Sequence, residues 1–433
     1  MKTKAVRLYG QNDLRLEEFE LPQIKEDEIL AKVVSDSICM SSYKAAHQGP
    51  EHKRVPDNVS ENPVIIGHEF AGEIVEVGAK WQSDFKAGDK FSIQPALTYE
   101  GGPVGVLSAQ GYSYQYIGGD ATYVIIPAEV MEQGCLLPYK GEGFYPASLS
   151  EPLSCVVGAM HACYHTTPGS YVHSMEIKEN GKMALLAGVG PMGLACINYV
   201  LHREDRHPSL FVVTDIDQAR LDRAAALYTK EFAAERGIEL HYVNTKVENP
   251  VALLKEISGG DGYDEVVVMA PVPAVIEQAD EILAFDGCLN FFSGPGRQDF
   301  KAPFNFYNVH YASTHVVGTS GGNTDDMKEA LHLMGKGMDP AGLVTHIGGL
   351  NAVIDTTLRL PEIPGGKKLI YTHIDMPLTA IADFEAKGAQ NPVYAELDKI
   401  CKAHQGLWSV EAEQLQRSPS VCRFSGTNRI SIP

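Results

Sequence analysis

Apolar and polar positions change their rhythm twice along the chain. Up to about residue 155 the apolar runs are short: Val64–Ile66, Glu73–Val77, Lys90–Gln94 and Tyr123–Pro127. Gly67, Gly72, Gly78, Gly88 and Gly119 punctuate them. Short β-branched runs cut by glycine predict strands of a compact β-barrel or sandwich module.

After Ser154 the pattern alternates. Apolar runs at Lys182–Ala187, Leu210–Asp215, Leu240–Asn244, Val266–Ala270 and Cys288–Ser293 predict strands, with Thr314–Gly318 as a sixth. Between them, Pro191–His202, Gln218–Tyr228, Pro250–Ile257 and Ala274–Ala284 carry helical spacing. Strand and helix in alternation predict βαβ units in a parallel sheet covered on both faces. From about 320 the character is mixed again, with a helix expected at Asp325–Gly335 and a strand at Lys368–Ile374. Two polar helices and a frayed end at Ser418–Pro433 are expected after Met376. The reading is an α/β chain with a β-rich domain over 1–155 completed by 320–375. A doubly wound domain is inserted at 156–319, and a helical tail follows at 376–433.

Composition narrows the class. With 44% apolar and 21% charged residues the 433-residue chain is neither disordered nor of low complexity. The longest apolar runs, such as Met183–Val189, fall far short of the roughly 18 residues a membrane span needs. MKTKAVRLYG turns polar too early for a signal peptide, so a cytoplasmic chain without membrane contact is expected. A formal charge of −19 disfavours nucleic acid and requires a locally basic pocket for any anionic substrate. The 8 cysteines are scattered without a CxxC pair, the usage of a reduced compartment.

Gly188-Val189-Gly190-Pro191-Met192-Gly193 follows an apolar strand and opens a helix. Gly188 permits the tight turn, Gly190 lets the backbone approach a pyrophosphate, and Gly193 lets helix and strand pack closely. Pro191 and Met192 begin the helix, whose N-terminus attracts phosphates. Asp215 ends the next strand, where a carboxylate accepts hydrogen bonds from the adenosine ribose and repels a 2′-phosphate. NAD(H) is therefore expected. Arg220, near the adenine edge, softens that preference towards NADP(H), and Asp217 reads as a helix N-cap.

Cys39 in SICMSS, His68 in GHEFAGEIVEVG and Glu151 in SEPLSC are each unremarkable alone, as packing, polar and helix-start residues. Together with Ser41, the Gly88-Asp89 turn and the GVGPMG turn, they resemble the zinc-dependent medium-chain dehydrogenase/reductase family, and its polyol branch in particular. The resemblance runs from residue 1 to about 375. It implies a GroES-like catalytic domain beside a Rossmann domain, and Cys39 and His68 as ligands of a catalytic zinc. Glu151 stands at the branch's carboxylate position, and Glu69 is the other carboxylate that binds zinc directly or alternates with water. Ser41 matches the hydroxyl that exchanges a proton with the substrate oxygen. Lys44 stands where the branch often has a relay histidine, and Ser42 where aspartate is common. Residues 92–127 contain no cysteine, so one catalytic zinc and no structural zinc are expected. A competing metal reading is His161 with His165, spaced i, i+4 on an expected helix, with Cys163 and His173 nearby.

Further stretches, among them GYSYQYIGGDATYVIIP at Gly111–Pro127 and PEIPGGKKLIY at Pro361–Tyr371, are similar to members of the branch that act on a ketose phosphate. The resemblance implies zinc- and NAD(P)H-dependent reduction of L-sorbose 1-phosphate to D-glucitol 6-phosphate. Another polyol or polyol-phosphate dehydrogenase is the alternative. His52, Lys53 and Arg54 are candidates for holding the phosphate, with Lys44, Arg297 and Lys301 behind them. A short basic run reads equally as solvated surface. The family implies a homodimer or homotetramer through the sheet edge near Cys288–Ser293 and His315–Thr319.

Overall fold

A computed structural model describes residues 1–418, and the chain divides into two units. One comprises Met1–Glu151 with the chain from Asp339 onward; the other is Pro152–Met338.

The hub of the first unit is the strand Ile29–Ile38. It pairs antiparallel with Phe70–Val77, Tyr123–Ile126 and Lys367–Tyr371 inside an eight-stranded sheet. All but one of its residues are buried, so it lacks the alternation by which a half-buried strand is recognised. Lys2–Gly10 and Asp13–Glu20 form an antiparallel hairpin beside it. Ile29, Ala31, Val33, Phe70 and Phe91 fill the core between these strands.

The second unit contains a six-stranded sheet of parallel pairs. Its order is Glu239–Asn244, Leu210–Asp215, Lys182–Leu186, Tyr263–Val268, Leu283–Phe291, His315–Val317. In chain order this is 3-2-1-4-5-6, the doubly wound arrangement. The helices Pro191–His202 and Pro250–Ile257 have the expected bounds, and Gln218–Leu227 ends one residue early.

Three features differ from the sequence reading. The second unit extends past 320 to Met338, because helix Thr324–Met334 packs there: Asp326 bonds His161 and Glu329 accepts from the Tyr199 hydroxyl. The segment after Met376 is part of the first unit rather than a polar appendage. Its helices Phe384–Gly388, Pro392–Ala403 and Val410–Gln416 bury Phe384, Leu397, Ile400 and Trp408 against Tyr371 and Ile347. Glu413 accepts backbone hydrogen bonds from Phe144 and Tyr145. The expected frayed end lies, beyond Ser418, outside the described residues. The helix expected around His161 starts earlier and stops sooner than the sequence suggests, spanning Tyr145–Ala162 and leaving His165 in a strand; Pro152 and the small residues obscure its period. No helix among the described residues is long and apolar enough to cross a membrane.

Candidate active site

Three short structural decisions bring the reactive side chains together in the first unit. Cys39 follows the long strand with extended backbone (φ −106°, ψ 151°) and stands at the N-cap of helix Met40–Gln48. Gly67 takes φ +91°, where a Cβ would meet Asp36 Oδ2 at 2.5 Å, so the turn before His68 requires glycine. The next strand begins at Phe70, and Asp36 Oδ1 accepts the Glu69 N–H at 3.1 Å. As a result the ligand atoms of Cys39, His68 and Glu69 lie within 4.8 Å of one another. Among the described residues they form the one group of three or more His, Cys, Asp or Glu side chains that converge in this way.

Each member is held by neighbours. Ser42 Oγ lies 3.3 Å from His68 Nδ1 and the Tyr112 hydroxyl 3.1 Å from Nε2. Glu69, wholly buried, accepts hydrogen bonds from the Ser37 hydroxyl and from the Lys367 ammonium, with Lys367 Nζ 2.6 Å from Oε2. Ser41 reaches both the Cys39 thiol and the Tyr112 hydroxyl. Burial holds His68 below its ordinary pKa, leaving a neutral imidazole able to act as a ligand. Burial, then the Glu69 charge, raises the Cys39 thiol. A cation at this point would restore the thiolate, and thiolate, imidazole and carboxylate are the donor set a catalytic zinc takes. The residues therefore fit a zinc ion. Glu151 stands outside the close group but within electrostatic reach of it. Burial first, then Glu69 and Cys39, push its carboxyl up to about 7 against the pull of His68.

A basic cluster adjoins this group. The His52 ring stacks on Tyr112 at 5.8 Å, and the Arg54 guanidinium lies 5.9 Å over the same ring. Burial, then Arg54, Lys53 and Lys44, lower His52 to about 4. His52 and Arg54 thus both flank the Tyr112 ring, Arg54 also donating to Leu107 O, while Lys53 is exposed as a surface residue would be. Tyr112 touches both this cluster and His68, whose ring centroid is 4.7 Å away. Arg297 and Lys301 belong to the second unit, where Arg297 pairs with Asp299.

The glycine turn of the second unit behaves as its spacing requires. Gly188 N–H bonds Thr214 O at 2.7 Å, and a Cβ on Gly193 would meet Gly188 O at 2.1 Å. At Gly190 a Cβ would find nothing closer than Arg220 Nη2 at 3.5 Å, so that surface stands open. Gly190 precedes helix Pro191–His202, and Pro191 and Met192 form its first turn. Asp215 Oδ1 accepts the N–H groups of Ile216 and Asp217, and Asp217 caps the next helix through the Arg220 N–H.

The competing histidine pair does not converge. The helix ends at Ala162, and His165 sits in the strand Tyr164–Thr166, so i, i+4 spacing no longer places both on one face. His161 bonds Asp326, Glu176 and Glu329; His165 bonds Glu265. Cys163 approaches Asn290, and His173 stacks on Tyr164.

Sequence reasoning passed over Lys367 and Tyr112. Both fall in stretches already quoted for their resemblance, but a lysine in a strand and one tyrosine among several carry no local signal.

Comparison with known proteins agrees with both units. Residues 25–134 match the family described as alcohol dehydrogenase GroES-like domain, and residues 211–336 match that described as zinc-binding dehydrogenase. The chain is 52% identical to mannitol-1-phosphate 5-dehydrogenase of Aliivibrio fischeri, over 95% of this chain and 97% of that one. It is 49% identical to L-sorbose 1-phosphate reductase of Klebsiella pneumoniae, over 95% and 96%. The solved structure of 2R,3R-butanediol dehydrogenase from Bacillus subtilis, at 24% identity, shares the fold with a TM-score of 0.65 over 85% of this chain and 99% of that one.

Proposed function

This chain belongs to the zinc-dependent medium-chain dehydrogenase family, and we propose that within it the protein reduces L-sorbose 1-phosphate to D-glucitol 6-phosphate with NADH. The observation that carries the reading is the basic cluster around His52, joined through Tyr112 to the Cys39–His68–Glu69 group. A phosphorylated ketose needs both: donors for a metal at the carbonyl, and cations for its phosphate.

Cys39 and His68, with Glu69 or Glu151 as the carboxylate, would hold one zinc per chain. No structural zinc is proposed, since residues 92–127 lack thiols. Bound there, zinc supplies Lewis-acid polarisation of the substrate oxygen, and the nicotinamide supplies the hydride. The chain's own residues position and neutralise. His52, Lys53 and Arg54 hold the phosphate, charge-assisted contacts that fix which end of the sugar enters. The Ser41 hydroxyl, reaching Cys39 and Tyr112, hands a proton to the forming alkoxide and takes its replacement from the solvent side, where Lys44 stands at the outer relay position. Gly188, Gly190 and Gly193 with the helix at Pro191 receive the pyrophosphate. Asp215 takes the ribose and disfavours NADP(H), while Arg220 beside Gly190 tempers that preference.

The identity to a mannitol-1-phosphate 5-dehydrogenase supports a second reading, oxidation of mannitol 1-phosphate. The two place the reacting carbon differently: next to the phosphate-bearing carbon for the sorbose ester, at the opposite end of the chain for C5 of the mannitol ester. Exposed Phe306, Tyr307, Tyr311 and Val316 near the edge strand His315–Val317 support a homodimer or homotetramer, and the chain is proposed to work in the cytoplasm.

The test is a rate comparison on the zinc-loaded enzyme. NADH and NADPH oxidation is followed with L-sorbose 1-phosphate and with L-sorbose, NAD reduction with mannitol 1-phosphate, each before and after chelation. The proposal predicts fastest turnover on L-sorbose 1-phosphate, loss on chelation, and one zinc per chain by elemental analysis. Preference for mannitol 1-phosphate moves the assignment to the second reading, and preference for free L-sorbose removes the phosphate from it.

A further inference from the structure

The Tyr112 hydroxyl lies among the metal-ligand side chains, and the reaction above gives it no task of its own. Its backbone puts it there. Gly111 takes φ +76°, and a Cβ on it would collide with the Gly67 carbonyl oxygen, so the turns before Tyr112 and before His68 lie backbone against backbone. The Tyr112 N–H bonds Ala109 O at 3.3 Å, and the ring belongs to a buried apolar cluster with Val55 and Ala109. The hydroxyl sits 3.1 Å from His68 Nε2 and is hydrogen-bonded to Ser41, with Cys39 and Glu151 close enough to act on it electrostatically.

The contact with His68 is the informative one. A ligating imidazole donates from one ring nitrogen to a fixed acceptor and gives the lone pair of the other to the metal. Ser42 Oγ, 3.3 Å from Nδ1, stands where that acceptor belongs, which leaves Nε2 as the ligand atom. The Nε2 lone pair serves either the Tyr112 hydroxyl or a metal ion, but not both. Once a metal takes it, the phenol O–H has a proton to donate beside the position where the substrate oxygen binds. In a simple alcohol or ketone only carbon and hydrogen flank that oxygen's carbon. In a polyol or ketose the neighbouring carbon carries a second oxygen, an acceptor for the phenol.

We propose that Tyr112 is a specificity-determining residue, whose hydroxyl donates to the oxygen on the carbon beside the reacting one and so selects substrates with vicinal oxygens. In L-sorbose 1-phosphate that group is the C3 hydroxyl; mannitol 1-phosphate reacting at C5 offers the C4 and C6 hydroxyls. The inference rests on the reading that Cys39 and His68 hold the metal, and is indifferent to which hexose phosphate is the substrate. The same ring meets His52 at 5.8 Å and the Arg54 guanidinium at 5.9 Å, so the residue that reads the neighbouring oxygen also touches the groups proposed for the phosphate.

Two measurements on the full chain test it, in wild type, Tyr112→Phe and Tyr112→His. Zinc affinity is read by titrating the holoenzyme with a chromophoric chelator. Values of kcat/KM are taken on the faster hexose phosphate and on its deoxy analogues, 3-deoxy for the sorbose ester, 4- and 6-deoxy for the mannitol ester. In Tyr112→Phe zinc is expected to bind about two- to tenfold tighter, since the competing hydrogen bond is gone. Its kcat/KM falls about tenfold on the parent substrate and stays within about twofold of wild type on at least one deoxy analogue. Zinc affinity unchanged or weakened, or equal loss on the parent and every analogue, overturns the inference while zinc-dependent turnover by wild type leaves the metal reading standing. Absence of zinc-dependent turnover in wild type removes both. The parent-to-analogue ratio is taken within one enzyme, so unfolded protein cancels from it; should Tyr112→Phe not fold at all, as circular dichroism reports, Tyr112→His is read by the same ratio.

Discussion

The Lys367 ammonium sits against both carboxylate oxygens of Glu69, 2.6 Å from Oε2, with the two side chains 6% and 1% exposed. Burial alone would lower the lysine's pKa, but Glu69 and then Cys39 hold it above its ordinary value. Glu69 is thus the chief compensation for the buried Lys367 ammonium. Removing one leaves a buried charge unpaired, which costs about 3–5 kcal/mol. Lys367→Met is expected to lose stability on that scale in urea unfolding, and Lys367→Met with Glu69→Gln to recover most of it. Equal loss in single and double variants would show that the pair contributes only packing.

Arg54 lies over the Tyr112 ring beside His52. If it holds the substrate phosphate, Arg54→Ala raises KM for the phosphorylated ketose by about 10–100-fold, the worth of one charge-assisted contact, with kcat little changed. KM for the unphosphorylated sugar stays where it was. Steady-state kinetics on the two substrates decides it.

Gly190 and Gly193 separate folding from cofactor binding. An added Cβ at Gly193 meets the Gly188 carbonyl oxygen at 2.1 Å, so Gly193→Ala pushes helix from strand and destabilises by about 1–3 kcal/mol. At Gly190, with φ −74° and the nearest atom 3.5 Å away, alanine fits the fold. There the methyl stands where the pyrophosphate must approach. Gly190→Ala is expected to keep its melting temperature and weaken NADH in a fluorescence titration, whereas Gly193→Ala loses both.

His161 is held up to about 10 by Asp326, then Glu329, against the effect of burial. Its unfolded value is about 6.5. A raised folded pKa contributes stability that is complete below about 6.5, declines as pH rises, and is gone above about 10. The stability difference between wild type and His161→Gln, from denaturant unfolding, is expected to be larger at pH 6 than at pH 10. The imidazole is 31% exposed, so solvent screens part of the effect. A difference independent of pH would mean that the ring acts only by its shape.

Local chemistry determined much of this protein. The Rossmann strands and helices were legible because each is a short segment whose period and punctuation lie within a dozen residues. The turn at Gly188–Gly193 was legible because glycine there answers a steric demand met by its neighbours in sequence. Cys39, His68 and Ser41 were legible as types in a recognised pattern. Tertiary structure alone decided which of these meet, and with what. Ile29–Ile38 is buried on both faces, so no alternation marked the strand that organises the first unit. Lys367 reaches Glu69 from the far end of the chain, and the charge balance of a buried pair is invisible until both are desolvated together. Tyr112 links the basic cluster to His68, and Trp408 draws the tail into the core. These are packing relations between residues with no local signal, and they form only when long-range burial has chosen the neighbours.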